Sequence, residues 1–291
     1  MARTTLRGSA PGNRPPYPER RVSLGFHAVC VMIKIHRREL NEEMITVDRA
    51  IDSELREKKY ALILGEEFSI APELTADRQH LWADWDHLEP DRHLKDGDHF
   101  RRRRLGLFYF LPNTAELLPL PSTPYVQSSA INTYAGGISR TFAPLLAATL
   151  TNQFLHKLIT FNFRQFPVGR SRTRQPWKID VHQFRIVASR DELGQPTPEG
   201  IHQDGDDFNC IHLIGRRNAA GGVNTVYDND RNPLATCTLL QPMDSIIVWD
   251  PHVMHGVTPI SPENPSDPAT RDVLVIGYNH RPDLERPCDE I

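Results

Sequence analysis

The chain has 291 residues, 39% of them hydrophobic, and a formal net charge of −3. That length can bury a sizeable core in one large domain, and the charge balance gives no footing for nucleic acid as a main partner. No apolar run approaches the ~18 residues that cross a bilayer, so no membrane association is expected.

Four cysteines, Cys30, Cys210, Cys237 and Cys288, are scattered without C-x-x-C spacing. They argue against a zinc ribbon or a disulfide framework and fit reduced thiols in a cytoplasmic protein. The 24 prolines favour a loop-rich, β-rich fold over a helical bundle.

Residues 1–43 carry eight Lys/Arg against four Asp/Glu, a net +4 that leaves −7 for the rest. "RGSAPGNRPPYPERR" has the composition of a disordered tail. The apolar stretch over residues 24–35 is short, is interrupted by His27 and Lys34, and lacks a cleavage signature. A dispensable basic extension is expected, with residues 44–291 forming a single domain.

Within that domain "TVDRAIDSELREKKYALI" predicts an amphipathic helix with Val47, Ile51 and Leu55 on one face. The run Arg101 to Arg104 precedes a strand-like "LGLFYF" and reads as a solvated face; nothing in the sequence supports contact with an acidic substrate there. "SRTFAPLLAATLTNQFLHKLITFNF" predicts a second helical stretch. From about Trp177 the texture changes to eight short β-type runs: "KIDVHQFRIVA", "GIHQD", "NCIHLIGR", "VNTVYD", "LATCTLL", "SIIVWD", "MHGVTPI" and "RDVLVIGYN". Turn-rich pieces separate them. The fold class expected is mainly β with flanking helices, a double-sheet jelly roll over about 177–280 with the earlier helices as a buttress.

The chemistry concentrates at strand ends. In "EGIHQDGDDFNC" the side chains of His202 and Asp204, two apart on an extended strand, point to one face, and Gly205 permits a close turn behind them. A third ligand must come from elsewhere. In "WDPHVMHGVTPI" the better candidate is His255, at the start of a strand, with His252 as competitor. Two histidines and a carboxylate suit non-haem iron(II) with open positions, although zinc also accepts such donors. Arg271, opening the last strand, can grip a carboxylate with two parallel bonds. A 2-oxo diacid fits both features, chelating the metal at one end and reaching Arg271 at the other. His212, Trp249, Asp228 and Asp230 read as packing or turn residues.

The segments "PEGIHQDGDDF", "GGVNTVYDNDRNPLATCTLL", "DPHVMHGVTPI" and "RDVLVIGY", in this order, resemble the bacterial 2-oxoglutarate/iron(II) dioxygenases that hydroxylate free L-amino acids, the L-isoleucine 4-hydroxylase group in particular. "QSSAINTYAGGISRTFAPL" resembles them more loosely. The resemblance implies a double-stranded β-helix, with His202, Asp204 and His255 as iron ligands and Arg271 binding 2-oxoglutarate. It also implies dioxygen as co-substrate and a free aliphatic L-amino acid, such as isoleucine, leucine or methionine, that is hydroxylated or sulfoxidised. No substrate residue carries over; His182, Gln183 and Arg185 on the first core strand are candidates. The alternatives are a side-chain hydroxylase of proteins or peptides and a non-catalytic jelly roll that binds a small carboxylate. A zinc hydrolase is the weakest reading, because no H-E-x-x-H is present. The sequence leaves the oligomeric state open.

Overall fold

The computed structural model describes residues 43–94, 99–127, 134 and 136–287. The basic extension up to Glu42, with Cys30, and the C-terminal Cys288 lie outside the described residues.

Ile45–Val47 (β1), Ile51–Lys58 (α1), Tyr60–Ile63 (β2) and Phe68–Ile70 (β3) come first, with β1 pairing antiparallel to β3. The long helix expected here is cut at both ends. Val47 belongs to a strand, and Lys59 adopts left-handed backbone (φ 71°) with its N–H returned to the Leu55 carbonyl. That geometry ends a helix, and the chain resumes as β2.

Thr75–Ala83 (α2), Glu89–Pro90 (β4), Arg101–Leu111 (β5) and Glu116–Leu120 (β6) follow. The second predicted helical stretch forms only from its middle onward, as Ala147–Leu150 (α3) and Gln153–Arg164 (α4). Asn152 caps α4 by accepting the Leu155 N–H at 3.0 Å. Of the eight predicted core strands, seven are present: Trp177–Ala188 (β7), Phe208–Arg217 (β8), then, after the short Ala219–Gly221 (β9), Val223–Tyr227 (β10), Pro233–Thr238 (β11), Ser245–Val248 (β12) and Met254–Val257 (β13). After Ile260–Pro262 (β14), the seventh is Ala269–His280 (β15). "GIHQD" is not a strand. Gly200 and Gly205, at φ 82° and 89°, bend the chain on either side of it, and a single antiparallel bridge between His202 and His255 holds it.

The large sheet runs in the order β2-β12-β8-β15-β7-β5-β4, with β6 on β5, and every pairing is antiparallel. The small sheet is β11-β10-β13, and β9 pairs with β14. Between the two sheets lies an apolar layer of Leu213, Ile246, Val248 and Val273 from one side and Val226, Leu239 and Val253 from the other. On the outer face of the large sheet, Phe154, Leu155, Leu158 and Ile159 of α4 and Leu81 of α2 join Trp177, Ile179, Val181, Leu274 and Ile276 in a larger core. This is the expected jelly roll with a helical buttress.

Candidate active site

Strand alternation decides what the site receives. On β15, Leu274, Ile276 and Tyr278 enter the helix-side core, while Arg271, Val273 and Val275 face the interior between the sheets. On β7, Asp180, His182 and Phe184 take the inner face and Gln183 and Arg185 the outer one. Gln183 Nε2 lies 3.4 Å from Asp84 Oδ2, and Arg185 makes paired 2.8 Å bonds to Asp272. Of the three candidate substrate residues on β7, only His182 reaches the cavity. Neighbours on a strand point to opposite faces, so Gln183 and, two residues on, Arg185 turn away from the side that His182 takes.

The same alternation corrects the reading of the arginine run. Arg102 is exposed and Arg104 partly so, but Arg101 and Arg103 are buried on the inner face in line with Leu105 and Leu107. A run of four charges entering an apolar strand carries two to the interior wherever that strand is covered.

The three predicted ligands converge. Ligand atoms of His202, Asp204 and His255 all lie within 4.8 Å of one another. The two backbones lock together, with His202 N–H to the His255 carbonyl and His255 N–H to the His202 carbonyl, both at 2.9 Å. Asp250 accepts the N–H groups of Asp204 and Gly205 at 3.0 and 2.8 Å, which fixes the turn bearing Asp204. Asn209 Nδ2 donates to Asp204 Oδ2 at 2.9 Å. His252 lies elsewhere, exposed on a turn and edge-on to Trp249.

The donor set fits a divalent cation. His202 Nδ1 meets the Gly200 carbonyl at 3.0 Å, which leaves Nε2 free 3.4 Å from Asp204 Oδ1. His255 Nε2 stands 3.4 Å from Asp204 Oδ2. Burial alone would lower the pKa of His202, but Asp204 and Glu199 carry it up to about 9. Burial would likewise raise Asp204, yet His255 and His202 hold it well below the usual carboxylate range. His255, pushed down by burial to about 4, offers a neutral imidazole. The carboxylates of Asp204 and Glu199 thus favour positive charge beside His202. Two imidazoles and one carboxylate leave further coordination positions open.

Three cavities are lined by Asp204, and two of them also share Arg101, Phe184, Glu199 and Val275. One, of about 110 Å³, runs from His202 and His255 past Ile211 and Val273 to Arg271. Arg271 is 2% exposed, donates to Asn224 Oδ1 at 3.2 Å, and has an Nε with no hydrogen-bond partner. Burial, reinforced by Arg216, lowers its pKa to about 10, so it remains charged at neutral pH. A buried guanidinium with no carboxylate partner among the described residues is a site for an anion. The other cavity, of about 70 Å³, is lined by Arg101, Arg103, Tyr125, Arg140, His182 and Asp206, among others.

Sequence reasoning missed Glu199, Arg103, Tyr125 and Arg140. Glu199 Oε1 lies 3.4 Å from His202 Nε2. A period-2 reading of "RRRRLGLFYF" finds Arg103; nothing local marks Arg140. The residues read as bland are so. His212 is fully buried between Asn162 Nδ2 at 3.0 Å and Ser245 Oγ at 2.7 Å, and burial lowers its pKa to about 3. Asp228 accepts turn N–H groups from Asp230 and Asn232. Trp249 packs flat on Phe208, its centroid 5.5 Å away. No helix among the described residues is long and apolar enough to cross a membrane.

Comparison with known proteins agrees with this geometry. The 2OG-Fe dioxygenase family model matches residues 83–277, about two thirds of the chain. An L-isoleucine-4-hydroxylase of Bacillus thuringiensis is 26% identical over 165 residues, 55% of this chain and 67% of that protein. A 3(1)-hydroxy-L-isoleucine 4-dioxygenase of Pantoea ananatis is 27% identical over 157 residues, and the match spans only 63% of that relative's length. The crystal structure of a BsmA homologue from Methylobium petroleophilum aligns with a TM-score of 0.67 at 32% identity, covering 79% of this chain and 91% of that one. That of IDO from Bacillus thuringiensis aligns equally well at 21% identity, a likeness of fold.

Proposed function

The chain belongs to the 2OG-Fe dioxygenase family, and on that premise we propose that it oxidises the side chain of a free aliphatic L-amino acid. His202, Asp204 and His255 would hold the iron, and Arg271 the distal carboxylate of 2-oxoglutarate. The observation that carries this reading is Arg271, buried, charged and short of partners in the same cavity as the three ligands. When bound, iron(II) with 2-oxoglutarate and dioxygen supplies the oxidising power for a C–H bond.

The protein's own part is positioning. Val273, Val275 and Ile211 give the co-substrate cavity apolar walls, which exclude water and strengthen the charge interaction at Arg271. The adjoining cavity presents arginines together with Glu199, groups of both signs that match an ammonium and a carboxylate on one small molecule. The names of the two isoleucine-directed relatives support a free amino acid over a polypeptide segment.

The test is incubation of the iron-loaded protein with 2-oxoglutarate, ascorbate, air and a panel of free L-amino acids and short peptides. Succinate formation coupled to a mass gain of one oxygen in an aliphatic amino acid is expected. Better turnover of a peptide-embedded residue would replace this reading with a protein-directed hydroxylase. No consumption of 2-oxoglutarate with any of them would leave a carboxylate-binding jelly roll.

A further inference from the structure

The second cavity contains cationic groups whose hydrogen-bonding capacity the fold leaves partly unused. Arg103 and Arg140 are 4% and 3% exposed, and the Nε atom of each has no hydrogen-bond partner. Their neighbour Arg101 is already engaged, with Nε 2.8 Å from Asp91 Oδ2. Arg103 reaches that same carboxylate oxygen only at 3.8 Å, and Arg140 donates to the Gln127 side-chain carbonyl at 2.8 Å. One aspartate therefore serves two arginines, and Arg140 has no carboxylate partner among the described residues. Burying a guanidinium without a full set of acceptors is costly, and two such groups lining one cavity call for an anion.

The surroundings hold these groups in place. The Arg103 guanidinium sits 3.5 Å from the Phe142 ring centroid and 4.5 Å from that of Phe184. Its Nη2 donates to His182 Nδ1 at 2.6 Å, and burial with the charge of Arg103 keeps that imidazole neutral. Arg140 lies over Tyr125, and the two residues exchange backbone hydrogen bonds of 2.7 and 3.0 Å. Side chains fixed by stacking and backbone pairing lose little freedom when an anion binds.

We propose that Arg103 and Arg140 clamp the α-carboxylate of the substrate, an assignment that rests on the free-amino-acid reading above. The protein then keeps two anions apart by separate arginine sites. Arg271 takes the co-substrate in the apolar-walled cavity, and the Arg103–Arg140 pair takes the substrate in the polar one. With the carboxylate held there, Asp204 on the wall of the same cavity places the substrate's side chain beside the metal centre. An amide or ester at that position leaves both guanidinium groups without their anion, so a residue inside a peptide is refused.

The experiment is anaerobic calorimetry on the full chain loaded with iron(II) and 2-oxoglutarate, titrated with L-isoleucine, L-leucine, L-methionine and the corresponding α-carboxamides. Wild type is compared with Arg140→Gln, Arg140→Lys and Arg103→Lys. The tightest-binding acid should weaken at least ~30-fold in Arg140→Gln, as truncating one partner of a buried charge pair does, and less in the lysine variants. The amides should bind wild type and variants alike within about threefold, and 2-oxoglutarate affinity should move by less than about threefold. Acids that bind variants and wild type equally, or amides that lose as much as acids, overturn the clamp and leave the free-amino-acid reading standing. Failure of every acid to bind wild type, with 2-oxoglutarate still bound, overturns both.

Discussion

The large sheet has two faces made by the same strands, and their chemistry is opposite. On the outer face, Trp177, Ile179, Val181, Leu274 and Ile276 meet α2 and α4 in an apolar core. On the inner face, beside an apolar layer that includes Val273 and Phe184, the same strands also bury Asp180, His182, Arg271, Arg101 and Arg103, all charged or polar. The outer face follows the ordinary rule that interiors are apolar. The inner face breaks it, since buried polar groups lower stability unless they are paired. The lesson is that the outer face carries the stability and the inner face the ligands, so substitutions on the two should fail differently.

Removing a metal ligand should have the largest effect. His202→Ala, Asp204→Ala and His255→Ala should each abolish turnover and cut iron binding, whereas His252→Ala should leave both nearly intact. Metal content after dialysis and succinate release check this; loss of iron in His252→Ala with retention in His255→Ala would assign the distal ligand wrongly. Arg271→Ala comes next. It should weaken 2-oxoglutarate by ~3–5 kcal/mol, at least a hundredfold, while iron binding persists. An unchanged 2-oxoglutarate dependence would sink the assignment.

The outer face supplies the converse. Leu158, fully buried on α4, touches no ligand group. Leu158→Ala should lower unfolding free energy by about 2–5 kcal/mol through lost burial and a cavity. The folded protein should keep its 2-oxoglutarate affinity, and denaturant unfolding beside co-substrate titration separates the two. A variant equally stable but weak in co-substrate binding would break the division of labour between the faces.

The effect that is smallest at neutral pH is on pH dependence. His212 is a fully buried polar residue on the outer face, with a folded pKa of about 3 set by burial. The unfolded imidazole titrates near ~6.5. Between these values the unfolded chain binds more protons, so this residue's contribution to stability falls as pH falls from about 6.5 to 3, by at most ~1.4 kcal/mol per unit. His212→Gln should therefore show a flatter loss of stability on acidification than wild type. Parallel curves for the two proteins would mean that His212 is protonated in the fold.

Much of the site was legible because its signals are local. His202 and Asp204 are two residues apart, Gly205 marks the turn, and Arg271 opens a strand of strong β-type residues. The order of these elements along the chain carried the family resemblance. Boundaries were less legible. The helix drawn through "TVDRAIDSELREKKYALI" ignored that Val47 and Tyr60–Ile63 find strand partners distant in sequence, and tertiary pairing of that kind overrides a helical period.

The sequence by itself determined the jelly-roll class and singled out His202, Asp204, His255 and Arg271, which the fold brings to one cavity, because each choice depends on residue types at short spacing and on chain order. Only the tertiary structure decided which arginines of the run Arg101 to Arg104 are buried, that Gln183 and Arg185 turn away from the site, and that Arg140 meets Arg103 across one cavity. The physical reason is that a strand's period fixes which residues share a face but not which face is covered. That choice is made by the elements packing on either side, here α2 and α4 on one side and the small sheet on the other.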